Sequence, residues 1–157
     1  MFWKTYLPRQ YDVNKIERHL IETNDYFIPP TSDRVDIKKW ARKLYENATI
    51  FELSDREIIV GLGALYFNQA PDFSYGTHVC VLKEYQDGMY GIEMMIKMVE
   101  YAQNHGSEGY RCEIRKSNRP LVKFYKSLGF TVEKDISLPD SNEIDLIISK
   151  KFINGTK

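Results

Sequence analysis

The sequence predicts a mixed α/β domain of the α+β type, in which a strongly twisted sheet of about seven strands carries about four helices. Three observations favour this class. β-branched and aromatic runs of strand length recur along the whole chain, amphipathic helical stripes separate some of them, and short polar turns separate the others. The predicted order is β-α-α-β-β-β-α-β-α-β-β, which excludes an all-helical bundle and an all-β sandwich.

The N-terminal third is predicted to form one strand and two helices. Phe2–Leu7 is rich in aromatic, β-favouring residues, and Pro8 ends the run. Asp12 is placed to cap a helix with an apolar stripe at Val13, Ile16 and Leu20. After a loop at Pro29–Asp33, a second helical stripe recurs at intervals of three and four residues: Ile37, Trp40, Ala41, Leu44 and Ala48.

The middle of the chain is predicted to form a β-hairpin and a further strand. Thr49–Leu53 and Ile58–Phe67 are β-favouring runs on either side of the polar turn Ser54–Glu57. A turn containing Pro71 then leads to the strand Ser74–Leu82. These elements supply three neighbouring strands before the next helix begins.

The C-terminal half alternates helices and strands. The helix predicted over Ile92–His105 has a wide apolar face, which suits packing against a sheet. A strand follows at Tyr110–Arg115, and Pro120 and Gly129 suit the first turn of a helix and the left-handed residue past its end. The last two predicted strands are Phe130–Lys134 and Asp145–Phe152.

Length and composition bound the class of protein. A chain of 157 residues favours one domain spanning residues 1–157, and the balance of 22 basic against 22 acidic residues argues against a nucleic-acid or membrane partner. The N-terminus lacks an apolar leader, and no apolar run approaches the ~20 residues of a membrane span, so we expect a cytoplasmic protein. Cys80 and Cys112 lack metal-ligand spacing and are predicted to be buried strand thiols.

A glycine-bearing turn lies between the strand ending at Leu82 and the helix beginning after Gly91. Unsatisfied amides and the helix dipole at such a position suit a coenzyme diphosphate. Two glycines alone, Gly88 and Gly91, also fit a plain strand-to-helix turn. A second motif occurs downstream, where Asn118 precedes a helix that carries Tyr125 and ends in Leu128-Gly129-Phe130.

Together the two motifs resemble the GNAT superfamily of acetyl-CoA-dependent N-acetyltransferases. The family pattern for the turn is Gln/Arg-x-x-Gly-x-Gly/Ala. Gln86 and Gly91 match its ends, whereas Met89 stands in place of the first glycine and Gly88 lies one residue earlier. The downstream motif reproduces the family spacing. A side chain at a position of positive φ is costly, so we expect Met89 to shift or weaken coenzyme binding.

The resemblance implies the residues that bind acetyl-CoA. The turn would hold the diphosphate, and its residues are Gln86, Asp87, Gly88, Met89, Tyr90 and Gly91. The pantetheine arm would enter where the strand carrying Val79, Cys80 and Val81 parts from the strand carrying Cys112–Ile114, and Asn118 would line its channel. Backbone donors near Val81 and Leu82 would polarise the thioester carbonyl.

The resemblance also implies acid–base roles. Tyr125 would give a proton to the departing coenzyme A sulfur, a step suited to a phenol with a reference pKa near 10. The alternative is that Tyr125 is only a core residue. The amine must lose a proton, and the family often draws its base from the fourth strand, which here offers His78 and Tyr75, with Glu113 and Asp72 as lesser candidates. The alternative for His78 is a hydrogen-bonded strand histidine.

Three further features are assigned no catalytic role. His19 and His105 have no partners at ligand spacing, so we predict solvated or helix-end positions and no metal site. Gly61-Leu62-Gly63 starts like a dinucleotide fingerprint, but a strand continues where a helix is needed. The rings of Tyr26, Phe27 and Trp40 could stack on an acceptor, although a core position is favoured.

The sequence therefore predicts an N-acetyltransferase in which the primary amine of a small molecule attacks acetyl-CoA directly in a ternary complex. A non-catalytic acyl-CoA-binding or regulatory domain is the alternative, and an interaction domain is a third class. The acceptor lies outside what the motifs specify, and the oligomeric state stays open, a homodimer included.

Overall fold

The computed structural model describes residues 1–67, 72–139 and 141–153. The described strands are β1 Phe2–Tyr6, β2 Thr49–Asp55, β3 Ile58–Tyr66, β4 Phe73–Val81, β5 Gly109–Arg115, β6 Thr131–Ser137 and β7 Ile144–Lys151. The described helices are α1 Val13–Glu22, α2 Thr31–Arg34, α3 Ile37–Asn47, α4 Tyr90–Asn104 and α5 Arg119–Ser127. Two predicted positions lie outside the described residues. One is Pro71, in the turn predicted before β4, and the other is Asp140, in the connection between the last two predicted strands.

The predicted fold class and order of elements are confirmed, with one addition. Helix α2, a single turn in the proline-rich loop, has four residues, which is too short for a periodic apolar stripe. The seven strands form one mixed sheet in the order β1-β2-β3-β4-β5-β7-β6. The β4–β5 pair is parallel, whereas β1–β2, β2–β3, β5–β7 and β6–β7 are antiparallel.

The chain divides into two compact units, which are described separately. The first comprises residues 1–66 and 78–98, and the second comprises residues 67–77 and 99–157. In the first unit α1 and α3 pack on β2 and β3. Both helices begin with an aspartate cap: Asp12 accepts a hydrogen bond from the Asn14 amide and Asp36 accepts one from the Lys39 amide. The buried core here includes Ile16, Leu20, Ala41, Leu44, Ile50, Leu62 and Ala64.

The opposite face of β3 is shaped by two glycines. A Cβ on Gly63 would lie 2.7 Å from the Met98 sulfur and 2.8 Å from the Met94 sulfur, and a Cβ on Gly61 would lie 3.3 Å from the Met94 methyl carbon. Both methionines are fully buried. The glycines of the Gly61-Leu62-Gly63 sequence therefore let the start of α4 approach the sheet closely. No described helix, α4 included, is both long and apolar enough to cross a membrane.

The second unit is built around β5. The parallel ladder joins Phe73–Gly76 to Gly109–Cys112, and β7 pairs along the other edge of β5. Asn118 caps α5 by accepting a hydrogen bond from the Leu121 amide at 3.3 Å. Gly129 follows the helix with φ +94°, which confirms the predicted left-handed position.

Candidate active site

Helix α4 begins two residues earlier than the glycine spacing predicts. It starts at Tyr90, so Gly91 lies within its first turn instead of in the preceding loop. Met89, the residue before the helix, has φ 61° and ψ 18°. This is a left-handed conformation that non-glycine residues rarely adopt. Met89 thus has a backbone conformation that favours glycine, at the position where the family pattern has glycine, and its side chain is exposed.

The start of α4 offers amides to a ligand. The amide of Glu93 donates to the Met89 carbonyl at 3.1 Å, which is the first bond of the helix. The amides of Tyr90, Gly91 and Ile92 therefore have no partner within the helix. Helix α4 has fifteen residues, so its dipole adds positive potential at these amides.

The segment before α4 is a 3-10 turn at Lys83–Gly88, fixed to the end of β4. Gln86 donates from Nε2 to the Val81 carbonyl at 2.9 Å. The Lys83 amide donates to the Tyr26 hydroxyl at 3.1 Å, and the Lys83 ammonium lies over the same ring. Two residues of the first unit, Val81 and Tyr26, thus hold the turn before any ligand arrives.

The two edges of β4 differ in the donors that they offer. The Leu82 amide donates to the Val60 carbonyl on β3 at 2.8 Å. Since successive amides of a strand point to opposite edges, those of Val79 and Val81 point away from β3. The expectation that Leu82 supplies a free donor to a thioester carbonyl therefore does not hold here, because this amide is already bonded.

Tyr125 lies in the core of the second unit. Its side chain is 3% exposed, between the rings of Phe124 and Phe130, and its phenol donates a hydrogen bond to the Cys112 sulfur. Burial above all, and the neighbouring Cys112 and Tyr110, raise the pKa of Tyr125 well above its ordinary value. The phenol is therefore a proton donor over the whole physiological range of pH.

His78 is paired with a second histidine. Its ring lies in the first unit, where Nε2 is 3.0 Å from Nε2 of His19 on α1. The rings of Trp40 and Phe27 lie 5.6 Å and 6.0 Å away, centre to centre. His19 lies in the last turn of α1, which confirms the predicted helix-end position, but it is not solvated, because only 3% of it is exposed. The sequence does contain a signal for the burial of His19, because this residue comes three positions after Ile16 and so lies on the apolar stripe of α1.

Burial keeps the histidine pair neutral. Desolvation lowers the pKa of His78 to about 4. Desolvation, and then the neighbouring His78, lower the pKa of His19 well below its ordinary value. With both rings neutral, one Nε2–H donates and the other Nε2 accepts. Each ring then keeps one further nitrogen for another partner.

The two cysteines are buried strand thiols, as predicted, and burial disfavours their thiolate forms. Burial raises the pKa of Cys80 to about 11 and that of Cys112 to about 12. A thiol becomes a nucleophile as its thiolate, which these pKa values disfavour.

Of the other candidate bases, Asp72 is exposed and Tyr75 and Glu113 are half-buried. Within the described residues, no three His, Cys, Asp or Glu side chains are grouped so that they could hold a metal ion. Trp40 packs against the core of the first unit, as the favoured interpretation predicted, while its ring also contacts His78.

A mixed seven-stranded sheet in which a strand leads through a short turn to a helix start with available amides is the arrangement predicted for an acyltransferase that uses a coenzyme thioester. A family model described as the acetyltransferase (GNAT) family matches residues 13–130, well over half of the chain. The chain belongs to the GNAT acetyltransferase family.

Solved structures of acetyltransferases share the fold. The ribosomal-protein-S18-alanine N-acetyltransferase from Escherichia coli has a TM-score of 0.74 at 17% identity, over 99% of both chains. Ard1 from Thermoplasma volcanium has a TM-score of 0.72 at 13% identity, over 98% of this chain and 100% of the other. A Bacillus subtilis acetyltransferase in complex with CoA has a TM-score of 0.67 at 12% identity, over 97% and 100%. No curated protein is significantly similar to this sequence.

Proposed function

We propose that this acetyltransferase moves the acetyl group of acetyl-CoA to the primary amine of a small molecule by direct attack in a ternary complex. The observation that carries the proposal is the preformed start of α4, where the amides of Tyr90, Gly91 and Ile92 are available to a diphosphate. Family membership supports it. We also propose that residues 1–157 act as one domain in the cytoplasm, where the two free thiols would stay reduced.

The proposed coenzyme site follows the available donors. Gln86 to Gly91 would hold the diphosphate, while the amides of Val79 and Val81 point away from β3 and would hold the pantetheine arm. Asn118 would contribute from the start of α5, in addition to capping it. Acetyl-CoA supplies the activated acyl group, and the protein binds and orients it.

The proposed chemistry uses one general acid and one general base. Tyr125 would protonate the departing sulfur, since its pKa keeps the phenol protonated. His78 would accept the proton of the amine, since its ring is neutral. The protonated state of both thiols argues against an acetyl-cysteine intermediate and supports direct attack.

Gly91→Leu is expected to raise the dissociation constant of acetyl-CoA by at least about tenfold without unfolding the protein. A Cβ on Gly91 would meet only the Val81 methyl, at 3.9 Å, which is ordinary van der Waals contact, so a Cβ fits there without a clash. Replacing a helical glycine also favours the helix by up to about 1 kcal/mol. Isothermal titration with acetyl-CoA measures the effect. Glu100→Leu, which adds the same side chain to an exposed position of α4, is the control.

An unchanged dissociation constant in Gly91→Leu, with a thermal midpoint like that of the wild type, would remove the start of α4 from the coenzyme site. A loss of binding in Glu100→Leu as well would point to a general effect of the leucine.

The proposal as a whole is tested by titrating acetyl-CoA and then following thiol release with a panel of amines. We expect binding, and release with at least one small amine. Binding without release for any amine favours the regulatory alternative, and neither binding nor release favours an interaction domain. Because the Escherichia coli enzyme acts on an alanine of a ribosomal protein, the panel includes an alanine peptide. Release with that peptide alone would replace the small-molecule acceptor.

A further inference from the structure

A cleft of about 270 Å³ in the first unit reaches His19 from outside. Lys15, Arg18 and Glu22 of α1 line it together with Glu57, and these four charged side chains are exposed. Ile58, Ile59 and Leu82 complete the wall. The cleft is therefore a space with exposed charged side chains and an apolar wall, and the residue His19 lies on its lining.

The second imidazole lies behind the first. His78 is 8% exposed and does not line this cleft, whereas its Nε2 is 3.0 Å from Nε2 of His19. The two rings are nearly perpendicular, with an angle of 85° between their planes. One hydrogen bond thus joins the imidazole on β4 to the imidazole on α1, and the latter belongs to a residue that lines the cleft.

We infer that His19 is the second member of a two-imidazole relay that carries the proton of the amine from His78 to water in the cleft. This inference rests on the proposed function, and in particular on His78 as the base. His19 acts through His78 and touches neither the amine nor acetyl-CoA.

The proton transfer balances as an exchange of tautomers. The amine N–H bond breaks, its proton bonds to Nδ1 of His78, and the electron pair left on nitrogen forms the bond to the thioester carbon. The carbon–sulfur bond then breaks, coenzyme A leaves as the thiol with the proton of Tyr125, and the phenol regains a proton from water. The Nε2 proton of His78 passes to Nε2 of His19, and the Nδ1 proton of His19 passes to water. After the product leaves, the same path runs in reverse, with water in place of the amine, and restores both tautomers.

A relay suits this pair better than a single base would. Because burial lowers the pKa of both rings, neither holds an extra proton at neutral pH. The tautomer exchange leaves both rings uncharged at its end, so no imidazolium has to persist in the core. The carboxylates of Glu22 and Glu57 attract a proton released into the cleft, and the cations Lys15 and Arg18 balance their charge.

His19→Gln tests the relay most sharply. A glutamine amide can still form a hydrogen bond with His78 but cannot exchange tautomers, so it separates orientation from proton transfer. We expect kcat to fall by about 10- to 100-fold while the KM for acetyl-CoA stays within about twofold. Lys38→Met, which changes an exposed lysine of α3 that does not line the cleft, should keep the wild-type kcat.

Two further measurements keep the test decisive if His19→Gln folds poorly. His19→Ala opens a space beside the cleft, and added imidazole should restore part of its kcat. On the wild type, the rate measured across mixtures of light and heavy water should curve, because two or more protons move together. Full activity of His19→Gln, the absence of imidazole rescue in a folded His19→Ala, or a linear dependence on heavy water would each overturn the relay.

The relay and the proposed function fail in different ways. If the wild type releases no thiol with any amine, the proposed function itself is wrong. If His78→Gln is inactive while His19→Gln is fully active, His78 remains the base and the relay is wrong. If both variants keep full kcat, the base is neither histidine.

Discussion

Tyr125→Phe is expected to lower kcat by about 10- to 100-fold and to leave the dissociation constant of acetyl-CoA within about twofold. The change removes one oxygen and its proton from a side chain that is 3% exposed. Because the ring remains, the contacts with Phe124 and Phe130 remain as well. An effect confined to kcat is the signature of an interaction made in the transition state.

The expected size follows from the chemistry of the leaving group. General acid catalysis contributes roughly 10²- to 10⁴-fold, and a thiol with a reference pKa near 8.5 leaves tolerably well as its thiolate. The effect should therefore lie at or below the lower end of that range.

Tyr110→Phe is the matched control, because Tyr110 is 1% exposed and its ring also contacts Phe130. Both variants lose one buried hydroxyl from the same core, so a similar loss of stability is expected in each. A fall in kcat in Tyr125→Phe alone supports the acid role. If kcat is unchanged where chemistry limits the rate, Tyr125 is a core residue only. Single-turnover kinetics establish which step is limiting.

Local patterns were sufficient to predict most of the fold. The caps at Asp12 and Asn118, the left-handed Gly129 and the hairpin of β2 and β3 each depend on neighbours a few residues away in sequence. Such features are set by backbone stereochemistry and by apolar periodicity, which a sequence displays directly. Helix α2 lacked that signal because it is one turn long.

The features of the candidate site that sequence reasoning missed depend on contacts between distant residues. His19 and His78 are 59 positions apart, and nothing local to either indicates that they meet. The Leu82 amide is bonded because of the register of β3 beside it. Met89 has a left-handed backbone between the turn at Lys83–Gly88 and α4, although the local preference for this conformation is glycine.

The free energy of unfolding is expected to fall by about 2 kcal/mol or more between pH 7 and pH 5, owing to the histidine pair. In the unfolded chain both histidines titrate near their ordinary pKa of about 6.5. In the folded chain the pKa of His78 is about 4, and that of His19 is also lowered. Over this window the unfolded state binds protons that the folded state does not, so acid favours unfolding. His78 alone accounts for about 2 kcal/mol, and its contribution levels off below pH 4.

Urea unfolding at a series of pH values measures this slope. The double variant His19→Gln/His78→Gln should flatten it between pH 7 and pH 5, whatever its stability at neutral pH, because neither glutamine titrates. His105→Gln is the control, since His105 is an exposed histidine outside the pair. The charged groups nearest His19 line the cleft and are exposed: Lys15, Arg18, Glu22 and Glu57. A slope that persists in the double variant would mean that other groups cause the acid sensitivity and that the pair is not held neutral by burial.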